Sequence, residues 1–146
     1  MKLSISRALV TGEAALRICD GVLAKARTEG QAVVVAVVDA SGQLVAFVAE
    51  QGAPRISHAV ARDKAFTAAM TGMSSAAWKS LMDQMPANER EIVLRAEGYI
   101  GTEGGLPIHD GGQLIGGVGV SGAASGSMDE ALAGAGIAAA GAASRA

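Results

Sequence analysis

The stretch Ala32-Val33-Val34-Val35-Ala36-Val37-Val38, followed by Asp39-Ala40-Ser41-Gly42 and then Leu44-Val45-Ala46-Phe47-Val48, decides the fold. Seven residues dominated by valine are too β-branched to favour a helix, and the short polar turn after them leads into a second apolar run. Two strands joined in this way form an antiparallel hairpin. The first strand is apolar at every position rather than at alternate ones. It therefore needs cover on both faces, from helices on each side of the sheet or from another subunit.

Working outward, a second hairpin is expected where Leu106-Pro107-Ile108-His109-Asp110 meets Gly111-Gly112 and continues as Gln113 to Val120, because Asp-Gly between such runs is a strong turn signal. Pro107 has no amide proton to give, which puts its strand at an edge of the sheet. Helices are expected around these strands. Ser6 to Glu29 carries Ala8, Ala15, Leu16, Cys19, Leu23 and Ala26 at helical spacing, and Gly30 ends it. Ile56 to Met70 follows the break at Gly52-Ala53-Pro54, Ser74 caps a shorter helix reaching about Met85, and Glu89 to Arg95 forms a further helical turn. The last helix runs to about Ala143 and opens with Ser127-Met128-Asp129-Glu130, which has the form of a capping box. The order predicts one α+β domain over residues 1–146, with a central antiparallel sheet flanked by helices. It is not the strand-helix alternation of a parallel nucleotide-binding sheet.

Composition narrows the function. Half the residues are apolar but only four are aromatic, so the core must be small aliphatic side chains packed among 20 glycines, which also favours close subunit contacts. The net charge of -2 is spread without a basic stripe, which argues against nucleic acid. No apolar run nears the ~20 residues of a membrane span, and Met1 to Arg7 does not read as a signal peptide, so a cytoplasmic protein without membrane partners is expected. The single cysteine, Cys19, falls on the buried face of the first helix and reads as a small core residue. Gly117-Val118-Gly119-Val120-Ser121-Gly122 matches a dinucleotide-binding glycine pattern, but only one helix follows it. It reads instead as a strand against which another backbone or a flat ligand lies closely.

Six short blocks then occur in one order across nearly the whole chain. Val37-Val38-Asp39-Ala40-Ser41-Gly42-Gln43-Leu44-Val45, Gly52-Ala53-Pro54 and Lys64-Ala65-Phe66-Thr67-Ala68 are three of them. Gly104-Gly105-Leu106-Pro107-Ile108, Gly116 to Gly122 and Asp129-Glu130-Ala131-Leu132-Ala133 complete the set. Together they resemble the GlcG/HbpS family, also called haem-degrading or DUF336 domains and including the PduO C-terminal type. The resemblance implies a layered, profilin-like or PAS-like domain that assembles into dimers or larger homo-oligomers. It also implies links to haem, to corrinoid utilisation, to glycolate operons or to aromatic catabolism. One departure is Gln51, where many relatives carry Asp before the Gly-Ala-Pro loop.

Candidate ligand-binding residues are His58, Arg62, Lys64, Thr67, Gly104, Gly105 and Pro107. His58 and Arg62 lie four apart, about 40° round a helix, so both can reach one ligand; Lys64, about 240° round from His58, forms a separate stripe with Thr67. Haem is the expected cofactor, with His58 or His109 as axial donor to iron and Arg62 or Lys64 pairing with propionates. Two histidines alone do not make a zinc site, and no other metal is expected. The rival reading is a cofactor-independent tautomerase, isomerase or hydrolase acting on a small carboxylate-bearing enol or ring-cleavage product. Lys64 or Arg62 would hold the carboxylate and Glu103 or His109 would be acid/base. A Gly-x-Ser-x-Gly elbow is absent, which argues against a serine hydrolase. A third reading is an accessory or scaffold subunit. For the first two, the hairpins are expected to bring the glycine-rich strand and the Lys64 helix around a common hollow.

Overall fold

A computed structural model of the chain describes residues 1–144. Its elements run α1 (Gly12–Thr28), β1 (Val34–Asp39), β2 (Leu44–Ala49), α2 (Ser57–Thr71), α3 (Ser75–Asp83), α4 (Ala87–Leu94), β3 (Gly105–Asp110), β4 (Gln113–Ser121) and α5 (Gly126–Ala139). The strands make one antiparallel sheet in the order β2-β1-β4-β3, so the two expected hairpins sit side by side, joined through β1 and β4.

The unbroken valine run has the physical meaning its composition implies. Val33, Val35 and Val37 enter the larger core with Ile18 and Val22 of α1 and Leu132 and Ile137 of α5. Val34, Ala36 and Val38 pack on Ala61, Ala65 and Ala69 of α2. Helices thus cover both faces of the sheet. The turns follow their chemistry: Asp39 accepts from the amides of Ser41 and Gln43, at 2.8 and 3.1 Å, and folds the first hairpin. Gly111 and Gly112 both have positive φ, 54° and 82°, which the second tight turn demands. Pro107 lies on the edge strand β3, opposite Gly117.

Three boundaries differ from the sequence reading. α1 starts at Gly12 rather than Ser6, because the Thr11 hydroxyl caps Ala14 N and the preceding Val10 amide is drawn to Ile115 O on β4. Ala8 lies outside the helix, and Leu16 is exposed. α5 is capped by Ser125, which accepts from Met128 N at 3.1 Å, so Ser127 is already inside the helix. It ends at Ala139, and Ala143 instead exchanges both backbone hydrogen bonds with His109 on β3.

The expected common hollow is filled. A Cβ added to Gly119 would collide with the carbonyl oxygen of Ala61, and one added to Gly117 with that of Ala65. Gly117 and Gly119 let the α2 backbone lie directly on the sheet.

Candidate functional site

The two stripes of α2 have opposite fates. His58 and Arg62 face outward over β2, where they share an open hollow of about 420 Å³ with Leu44, Phe47 and Ala59. The His58 and Phe47 rings are 5.5 Å apart, centroid to centroid, and tilted by 58°. An adjoining hollow of about 530 Å³ shares Leu44, Ala59 and Arg62 and adds Asp63, Phe66 and Glu97, so the two form one groove along α2. The Asp63 carboxyl is pushed up from its ordinary value by burial, opposed by the neighbouring Arg62 guanidinium. Gln51 borders His58 from the other side, across a further hollow that includes Glu50 and Arg55.

Lys64 and Thr67, on the inner stripe, hold the fold together. Lys64 is 2% exposed, and its ammonium donates to Val120 O at 2.8 Å and to Asp129 Oδ2 at 3.0 Å. Asp129 also accepts from Ala123 N at 3.0 Å. This buried pair ties α2, the end of β4 and the start of α5, and leaves the ammonium unavailable to a propionate or substrate carboxylate. Thr67 is fully buried, donating to Gly98 O and accepting from Ile100 N. Gly105 is held by Ser75 Oγ at 2.8 Å and presses on the Lys64 carbonyl, while Gly104 O accepts from Val120 N. Burial therefore removes these four from contact with a ligand.

His109 and Pro107 line a separate hollow of about 400 Å³ with Met73, Ser74, Leu106 and Glu130. His109 is 8% exposed, and its Nδ1 has no hydrogen-bond partner among the described residues. The acid lining this hollow is Glu130 rather than the expected Glu103. Its carboxyl is pushed up by burial first and then by the charge of Glu103 beside it. Among the described residues no group of three or more His, Cys, Asp or Glu is placed to hold a metal ion, and no helix is long and apolar enough to cross a membrane.

Sequence reasoning did not single out Phe47, Leu44 or Asp129 as site or anchor residues. Phe47 had a usable signal, as one of only two phenylalanines, set on a strand beside the exposed helical stripe.

An antiparallel sheet between helices, with an imidazole, a guanidinium and an apolar floor on one open groove, makes this an α+β domain with a candidate ligand site on one face. Residues 10–138 match the family model described as haem degrading protein HbpS-like, and the chain belongs to that family. Its structure is similar to the crystal structure of HbpS, with 30% identity over 93% of each chain and a TM-score of 0.85. It is also similar to Klebsiella pneumoniae protein ORFY of the DUF336 family, with 26% identity over 97% of each chain and a TM-score of 0.88. A PduOC:heme complex shares the fold, at 24% identity over 95% of this chain and 100% of that one, with a TM-score of 0.85. No curated protein matches the sequence.

Proposed function

We propose that the chain binds haem or a closely related tetrapyrrole in the groove between α2 and β2, with His58 as the axial donor. The observation that carries this reading is the convergence of His58, Phe47 and Arg62 around an apolar surface. Iron needs an axial donor, which an imidazole can be, a macrocycle needs flat apolar contact, and propionates are met by a cation. The groove supplies one of each. Its hollows fall in the range of small-ligand sites. Family membership and the haem complex of PduOC support the same ligand class. Bound haem would supply iron redox chemistry; the chain's own residues would ligate, orient and partly shield it.

His109 is the competing donor. Its side chain is buried beside Glu130, and both its backbone groups are engaged by Ala143, so the ring has little freedom to turn toward a large planar ligand. Titrating the protein with hemin decides between the two. The Soret shift is expected to be lost in His58→Ala and retained in His109→Ala, and Arg62→Ala should weaken binding about tenfold, or about 1.4 kcal/mol. A wild-type protein without a Soret shift, or a shift that survives His58→Ala, overturns the assignment.

A further inference from the structure

Residues 1–9 leave the body of the molecule as chain with neither helix nor strand. Their sequence has the period of a half-buried strand: Met1, Leu3 and Ile5 are apolar, and Lys2, Ser4 and Ser6 between them are polar. All three apolar side chains nevertheless stand in water, Leu3 at 85% and Ile5 at 82% exposure. The chain meets the core at Ala8, which is partly buried, and at Val10, which is buried and donates its amide to Ile115 O. A lone strand of this pattern satisfies neither its backbone nor its apolar face.

The sheet has a matching vacancy at β2. This outer strand, Leu44-Val45-Ala46-Phe47-Val48-Ala49, carries no charge and no proline, the devices by which exposed edges normally discourage pairing. Glu50 donates its amide to Val33 O, so by the alternation of an antiparallel ladder the amides of Ala49 and Phe47 point away from β1. The opposite edge is defended. There, Pro107 withholds a donor and Ala143 occupies both backbone groups of His109.

We propose that Met1 to Ser6 of one copy adds as a fifth strand to β2 of a second copy, with the exchange made reciprocally. Paired from Met1 at Ala49 to Ser6 at Leu44, the alternation of the arm runs along β2. Root and acceptor lie at one end of the sheet: Val10 joins Ile115, next to Gly116, which pairs with Asp39, and β2 begins directly after the turn that Asp39 folds. An exchange about a two-fold axis uses that placement. Charge sets the direction. The arm has Lys2 and Arg7 and no acid before Glu13, and an antiparallel arm brings Lys2 to the Glu50 end of β2. In its own chain the arm gives up no packing, so strand addition gains main-chain bonds and apolar cover together. This holds whatever the groove binds.

Light scattering on the full chain is expected to show a dimer, or an assembly of dimers. Leu3→Glu with Ile5→Glu, and separately Ala49→Pro, should each raise the dissociation constant at least tenfold, and the arm variant should keep its circular dichroism. A mixture of a size-tagged Ser6→Cys chain and a Leu44→Cys chain, treated with a short bismaleimide, should yield the mixed cross-linked pair; Cys19 is buried and silent. A monomeric wild type overturns the proposal. So does an assembly undiminished by the arm variant, or a mixture that gives no mixed pair.

Discussion

A buried lysine is expensive to ionise in isolation, and Lys64 is tolerable because Asp129 and the Val120 carbonyl receive its ammonium. Such a pair contributes little net stability compared with apolar residues of the same shape, but breaking it leaves a charge with no counterpart. Lys64→Met is therefore expected to cost about 3–5 kcal/mol in urea unfolding, with much of that loss restored in Lys64→Met combined with Asp129→Leu. A loss under about 1 kcal/mol would mean the pair is solvated. Cys19 behaves as the core residue its helical position implied: burial pushes its thiol up to about 11 from an ordinary value near 9, with Asp20 adding to the rise. A group protonated more in the folded state stabilises fully below its unfolded pKa and loses that contribution as pH rises through the folded one. Wild type should thus lose stability relative to Cys19→Ala between about pH 9 and 11, and thiol reagents at pH 8 should label Cys19 only after unfolding.

At the scale of elements, the position of a cap and the contact between a strand and a helix are both open to measurement. Ser125→Ala removes the hydroxyl that receives Met128 N and should cost about 1 kcal/mol, whereas Ser127→Ala should stay within about 0.5 kcal/mol. Equal losses would restore the capping box read from the sequence. Gly119→Ala drives a methyl group into the Ala61 carbonyl and the Ala65 amide, and should cost about 3 kcal/mol or more. Gly12→Ala, where a Cβ meets nothing within 4 Å, should instead add about 0.4–1 kcal/mol by restricting the unfolded chain. Denaturant midpoints of the two variants test whether α2 lies on β4 without intervening space.

On the scale of the whole molecule, binding in the proposed groove at the outer face of α2 would link ligand to fold. A tetrapyrrole that binds only the folded chain stabilises it by about 2.7 kcal/mol at a hundred times its dissociation constant. Hemin should therefore raise the melting temperature of the wild type and of His109→Ala, and leave His58→Ala unmoved. A rise in all three would place the ligand elsewhere.

Much of this architecture could be read from one dimension, because hydrophobic period and turn chemistry are local. The continuous valines of β1 required two covered faces, Asp-Gly and Pro107 placed the second hairpin and its edge, and the ordered blocks pointed to the family. The site was only partly readable. Spacing separated the His58 stripe from the Lys64 stripe, yet which stripe meets solvent depends on where the sheet lies, and that is a matter of tertiary packing. The same packing closed the hollow expected beside the glycine strand, since glycine permits a close approach without saying whether a ligand or a backbone makes it. Asp129 became the partner of a lysine 65 residues away for a similar reason: no local pattern records a contact made by folding two distant elements together.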